Sequence, residues 1–270
     1  MKNYNQIISG ITNTAWAIMP NKMDEIMCLL QSKAAGISAD YQAVKGRSRS
    51  QRNKVAILPM YGVMSQKMNL MTEYSGGTST EIFGAWLDEA IADPSVGKVV
   101  MEIDSPGGSV YGISELSNKI YNARGKKPII ASVNSLAASA AYWVASAADE
   151  IHVTPGGEVG SVGVIAVHVD QSKANEKDGF DVSYVTAGKY KAEGNFDEPL
   201  GKEARDHIQK RVNDYYSMFV NDLSRNRGVS ASHVLSQFGQ GRVVGPGDAV
   251  KAGMADKIST LEYVLRLPVR

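Results

Sequence analysis

A single cysteine, Cys28, is the whole thiol content of the 270 residues. No disulfide can therefore form within the chain, which suits a reducing compartment, and the expected role of Cys28 is that of a free buried thiol. No apolar run reaches 18 residues, so no helix is expected to cross a membrane. The first twenty residues scatter Asn, Gln, Thr and Ser among their apolar positions instead of a charged start and an apolar core, and no signal peptide is read there. A cytoplasmic setting is the expectation. Strong charge of either sign is also missing: 29 Lys and Arg against 28 Asp and Glu leave a net charge of +1, and nothing demands nucleic acid or a charged substrate.

What is present is an ordinary globular composition, 43% hydrophobic with 26 glycines, in a chain long enough to bury a large core. Charge is uneven. Residues 1 to 54 carry eight Lys and Arg against three Asp and Glu, which marks them as a separate piece preceding a domain at 55 to 270. In that piece Met23, Ile26, Met27, Leu29 and Leu30 follow Asn21, a helix cap, at helical spacing. The run Lys45 to Lys54 breaks every apolar period and reads as a linker or flexible arm, with a basic binding patch as the other reading.

From Val55 onward, short β-branched runs alternate with longer helical patterns, which predicts a mainly parallel sheet covered by helices. Strands are expected at Val55 to Val63, Lys98 to Ile103, Pro128 to Val133, Glu150 to Val153, Ser161 to Val167 and Val182 to Val185. Helices are expected near Ser79 to Ile91, Ser109 to Ala123, Ala138 to Ala147 and Gln171 to Lys177. A longer one from Gly201 to about Arg225 carries an apolar stripe of Ile208, Val212, Tyr215, Tyr216, Phe219 and Val220.

Two turns between strand and helix could carry chemistry. In Asp104-Ser105-Pro106-Gly107-Gly108-Ser109 the proline fixes one φ and the glycines open conformations closed to other residues, so backbone N–H groups can be aimed at a ligand oxygen. A plain turn explains the same residues. In Asn134 to Trp143, Ser139 sits among alanines that let a substrate backbone come close, although a serine in an alanine-rich helix is ordinarily packing.

A serine hydroxyl needs a base. Of the four histidines, His152 and His168 alternate with valines and read as half-buried or exposed strand positions, His168 keeping a possible triad role; His207 and His233 read as surface groups. A lysine can serve if burial or a neighbouring cation lowers its pKa, and a fall of about three units costs roughly 4 kcal/mol. Lys189 and Lys191, two apart after an expected strand, are the candidates, against the plain reading of solvated surface lysines.

In order along the chain, D-S-P-G-G-S (104 to 109), A-A-S-A-A-Y-W (137 to 143), T-P-G-G-E-V-G-S-V-G-V-I (154 to 165), A-G-K-Y-K (187 to 191) and G-R-V-V-G-P-G-D-A-V-K-A-G-M-A-D-K-I (241 to 258) resemble the signal peptide peptidase A family of serine proteases. The resemblance spans about Val55 to Ile258. It implies an α/β fold like that of Clp protease and crotonase, a mainly parallel sheet with flanking helices, here behind a small N-terminal helical segment. It also implies a Ser-Lys dyad: Ser139 as nucleophile, Lys191 as general base, Ser161 bonded to the lysine, and the N–H groups of Gly108 and Ala140 as oxyanion donors. No metal or organic cofactor is required. Two departures stand out: Ala140 and Ala141 replace glycines common in the family, and Ala187 replaces a serine ahead of the lysine.

The stretch T-A-W-A-I-M-P-N-K-M-D-E-I, then a polar linker and V-A-I-L-P-M-Y-G-V-M, is similar to the head-maturation proteases of tailed phages. That likeness implies protein substrates such as capsid, scaffold or portal segments, and self-cleavage, inside an assembling prohead. Family members form homo-oligomeric rings, so a ring is expected. A cytoplasmic bacterial signal peptide peptidase-like protease is the alternative, and a crotonase-like acyl-CoA binder or inactive scaffold is the second.

Overall fold

A computed structural model describes residue 11 and residues 14–34, 48–67 and 77–269. The N-terminal portion supplies strand β1 (Trp16–Ile18), helix α1 (Pro20–Ala34) and strand β2 (Ser50–Arg52). There follow β3 (Val55–Tyr61), β4 (Met64–Ser65), β5 (Thr78–Ser79), α2 (Thr80–Ala92), β6 (Lys98–Ser105), β7 (Gly107–Ser109), α3 (Ile113–Ala123), β8 (Ile129–Ala138) and α4 (Ala140–Ala145). The remainder is β9 (Glu150–Val153), β10 (Glu158–Gly160), α5 (Ser172–Lys177), α6 (Lys202–Arg227), α7 (Ala231–Gln237), β11 (Val243–Val244), α8 (Pro246–Lys251), β12 (Lys257–Ile258) and α9 (Leu261–Arg266).

The larger sheet runs β11-β10-β8-β6-β3-β2, with β9 also on β8 and β12 on β9. Its β3·β6, β6·β8, β8·β9, β8·β10 and β9·β12 pairs are parallel; only β2·β3 and β10·β11 are antiparallel. The expected mainly parallel α/β architecture is therefore present, and its central strands β3, β6 and β8 are apolar over most of their length because both faces are covered. β8 is long enough to pair twice on one edge, with β9 at Ile130 to Val133 and with β10 at Leu136 to Ala138. Its C-terminal end is thus held on both sides, and that end leads into Ser139.

A second sheet, β1-β7-β4-β5, stands at the same end. The main core, including Leu58, Val99, Ile103, Leu116, Val133 and Phe219, lies between the large sheet and its helices. A small cluster of Ile11, Trp16, Ile18, Met23 and Val63 packs behind β1. On the far face of the sheet, α9 places Val264 over Val55, Ile57, Val100 and Ile130. Lys98 is buried there, donating from Nζ to the carbonyls of Val264 (2.8 Å) and Leu267 (2.9 Å) at the end of α9. It meets the carbonyls at that helix's C-terminal end, where helical carbonyls run out of intrahelical donors, and burial pushes its pKa down.

Several expectations change. The run from Ser161 to Val167 is not a strand; apart from a single bridge at Ile165, it follows β10 as extended chain. Val182 to Val185 is exposed coil, with Val185 fully exposed: its alternating pattern has no neighbouring strand among the described residues. Ser50 to Arg52, read as linker, pairs with β3 through a tight turn at Asn53 and Lys54, both with positive φ, as the twist of a two-residue hairpin requires. Lys45 to Arg47 lie outside the described residues. Asn21 is inside α1 and not its cap. Cys28 is exposed, because it falls off the stripe that Met23 leads into the core. His152 is fully buried, bonded to Ser259 Oγ (2.7 Å) and Glu150 Oε2 (2.9 Å); strand alternation alone could not reveal that a later segment covers it.

Candidate active site

Ser139 sits at the junction of β8 and α4 with φ 54 and ψ −117, a region that non-glycine residues occupy only where the surroundings enforce it. The enforcement is visible. Its N–H donates to the Gly160 carbonyl (2.7 Å) and its own carbonyl accepts from Trp143 N–H (2.9 Å). Its Oγ lies 3.4 Å from the Gly163 carbonyl. The side chain is thereby held in a buried position beside the turn after β6.

That turn depends on its glycines. Gly107 has φ +97, and a Cβ there would stand 2.9 Å from the Ala138 carbonyl and 3.0 Å from Ser139 Cβ. A Cβ on Gly108 would lie 1.9 Å from the Met64 carbonyl, so β7 can approach β4 only without side chains. Ser105, buried at the end of β6, steadies the turn: its hydroxyl donates to the Gly62 carbonyl (2.6 Å) and accepts from Gly107 N–H (3.2 Å). Ala140 is buried as the first residue of α4, where helical N–H groups have no intrahelical acceptor.

Ser161 follows Gly160, is buried, and has the same φ of 54; its N–H donates to the Arg242 carbonyl at 2.8 Å. Two left-handed residues are thus tied back to back, Ser139 to Gly160 and Ser161 to Arg242. The sequence reading brought neither the Gly160 and Gly163 carbonyls nor the support from Arg242 into the site. The glycines of G-E-V-G-S-V-G were the available signal.

The lysines lie elsewhere. Lys191 is exposed on an irregular stretch, its N–H bonded to the Gly188 carbonyl (3.0 Å), and no contact with Ser139 appears among the described residues. Lys189 is exposed and donates to Tyr190 Oη and Glu203 Oε1, both at 2.9 Å. Those two bonds, the tyrosine's first, raise its pKa, the wrong direction for a neutral base. His168 is half-buried with Nε2 lacking a hydrogen-bond partner among the described residues; His207 is exposed, and His233 lies near the start of α7 with Nε2 2.8 Å from the Ala252 carbonyl. Among the described residues no cluster of His, Cys, Asp and Glu could hold a metal, and no helix is long and apolar enough to cross a membrane.

Residues 122–267, more than half the chain, match the family model described as "Peptidase family S49". The chain belongs to this family, that of signal peptide peptidase A. Among curated S49-like relatives, it is 29% identical to the "Head-tail preconnector protein GP5" of Enterobacteria phage P21 over 95% of this chain and 55% of that one. It is 31% identical to "Capsid assembly protease C" of Escherichia phage lambda over 79% of this chain and 48% of that one. This S49 chain thus spans about half the length of these relatives. Among solved structures, a point mutant of ClpP1 from Listeria monocytogenes aligns with a TM-score of 0.47 and 13% identity, over 78% of this chain and 94% of that one.

Proposed function

We propose that this chain is a serine endopeptidase in which Ser139 is the nucleophile and Lys191 the general base. The observation that carries the reading is the posture of Ser139: buried, held at φ 54, and set between the Gly107 turn and the first N–H of α4. Strain of this kind persists where function keeps it. Neutral Lys191 takes the hydroxyl proton as Oγ attacks a peptide carbonyl, and the N–H groups of Gly108 and Ala140 receive the oxyanion. The C–N bond breaks as Lys191 returns the proton to the leaving amine; water, deprotonated by Lys191, then hydrolyses the ester and frees Ser139. Ser161 positions the lysine.

Lys191 is exposed and makes no contact with Ser139 among the described residues, so its segment must pack before the dyad is complete. Phe180, Val182, Tyr184, Val185 and Tyr190 are all exposed around it, an apolar surface suited to a partner. We read it as the seam of a homo-oligomeric ring, whose assembly brings Lys191 to a Ser139. Substrates are structural proteins of a phage head, capsid, scaffold or portal, as the names of the two phage relatives suggest, in the assembling prohead or host cytoplasm. The protease domain is residues 55 to 270, with 1 to 54 as a preceding segment.

The test is fluorophosphonate labelling and peptide hydrolysis by the wild type, Ser139→Ala and Lys191→Ala, with sedimentation of each. Labelling confined to Ser139, hydrolysis lost in both variants and an oligomeric wild type are expected. A wild type that neither labels nor hydrolyses would overturn the reading in favour of an inactive scaffold.

A further inference from the structure

Strand β1 has a partner on each edge. On one side it is antiparallel to β7 in the register Trp16↔Ser109, Ala17↔Gly108, Ile18↔Gly107. Val110 N–H donates to the Ala15 carbonyl (3.2 Å) and Met19 N–H to the Pro106 carbonyl (2.9 Å). Hydrogen-bonded pairs alternate along such a ladder, so Ala17 and Gly108 are the bonded pair between these two. The Gly108 N–H, an oxyanion donor in the mechanism above, is turned to the Ala17 carbonyl. On the other side Trp16 and Ile165 exchange both backbone bonds, at 2.8 and 2.9 Å.

The two walls that flank β1 meet at Ser139. Its Oγ lies 3.4 Å from the Gly163 carbonyl on one wall. On the other, the point where a Gly107 Cβ would stand is 3.0 Å from Ser139 Cβ and 2.2 Å from the Ala17 carbonyl oxygen. Paired strands are about 4.8 Å apart. The space between β7 and residues 163–165 is therefore one strand wide, bounded by backbone donors and acceptors, and it runs past the nucleophile.

We infer that this slot is the binding site for an extended peptide substrate, and that residues 15–18 occupy it as an internal substrate mimic that keeps the site closed. The inference rests on Ser139 being the nucleophile. Recognition is by strand addition, the main chain supplying affinity and alternate side chains selectivity. Ala15 and Ala17 face the main core, whereas Trp16 and Ile18 face the small cluster with Met23 and Val63. The substrate class is thus an extended segment with small residues at two alternate positions and large apolar residues between and after them. A cleaved peptide would place its small residue where Ala17 lies, with its carbonyl at Gly108. Access requires β1 to leave; among the described residues it is held by its ladders to β7 and Ile165, by Ala15 and Ala17 in the main core, and by the five-residue buried cluster.

The experiment uses the full chain as wild type, Ala17→Pro and Trp16→Ala. The proline removes a β1 N–H from the ladder with β7, and the alanine empties the small cluster. For each protein, the rate of fluorophosphonate labelling at Ser139 is followed by mass spectrometry, and amide exchange is measured at Val110 and Ile165. Slow exchange in the wild type, with faster exchange and at least tenfold faster labelling in both variants, is expected. Unfolding would lower labelling, so a gain cannot arise from it; should Ala17→Pro fail to fold, Trp16→Ala decides. Exchange already fast in the wild type, or labelling unchanged while exchange accelerates, overturns the inference and leaves the protease reading intact. Absence of labelling in all three overturns the nucleophile assignment, and the inference with it.

Discussion

The indole N–H of Trp143 donates to Asp222 Oδ2 at 2.8 Å, deep between α4 and α6. The same carboxylate oxygen accepts from Ser114 Oγ of α3 at 2.8 Å, and the Trp143 ring stacks on Phe219 with centroids 4.4 Å apart. One carboxylate thus joins the helix that begins after Ser139 to the two helices behind it. Asp222→Ala leaves a buried indole N–H unpaired, and a loss of about 3 kcal/mol is expected from urea unfolding. Asp222→Asn, which keeps an acceptor, should recover at least half of it.

The strained backbone at Ser139 separates stability from reactivity. Ser139→Ala and Ser139→Gly both remove the hydroxyl, and neither should react with a fluorophosphonate. Only glycine relieves φ 54, at a site where strain of this kind costs of order 1–3 kcal/mol. The glycine variant should therefore be more stable than the alanine variant by about 1 kcal/mol in denaturant titration, net of the entropy that glycine adds to the unfolded chain.

Gly108→Ala tests the contact between the two short strands β7 and β4. The added methyl would lie 1.9 Å from the Met64 carbonyl, a backbone atom that cannot swing aside. A drop of about 3 kcal/mol or more is expected. Gly125→Ala is the control for space: a Cβ at Gly125 meets nothing within 4 Å, so any cost comes from its φ of +79 alone.

Acid should loosen the edge at β9 and β12. Glu150 accepts from His152 and Lys257, each at 2.9 Å, and these bonds, that to His152 foremost, hold its carboxyl below the usual range. A depressed carboxyl adds stability above the ordinary glutamate pKa, and that stability is lost as pH falls through the lower folded value. Melting temperature should fall between about pH 5 and pH 3, and Glu150→Gln should flatten that part of the curve.

Much of the domain was legible in the sequence because its signals are local. The helix expected near Ser79 to Ile91 is α2, capped by Ser79 Oγ accepting from Ile82 N–H, and the strand expected at Glu150 to Val153 is β9. The Pro-Gly-Gly turn and Ser139 are also neighbours, at a strand end where β8 pairs with β6 and β10. What the sequence hid was pairing at a distance. Trp16 to Ile18 is too short to read as a strand, and its two edges belong to residues about ninety and about 150 positions later. Val182 to Val185 misled for the converse reason: its alternation is real, but no strand lies beside it among the described residues. Spacing marked Lys189 and Lys191 together, family likeness alone preferred Lys191, and both lysines are exposed on an irregular stretch.

The bond from Ser161 N–H to the Arg242 carbonyl bears on when the site can exist during synthesis. Chains emerge from the N-terminus first, so Ser139 leaves the ribosome about a hundred residues ahead of Arg242, and residues 163–165 about eighty ahead. Until Arg242 to Val244 arrives to pair with β10, the Gly160-Ser161 turn has its bond to Ser139 N–H but lacks the one from Ser161 N–H. A nascent chain therefore carries Ser139 and Ser161 before their full backbone support, which is complete only once residues 242 to 244 have been made.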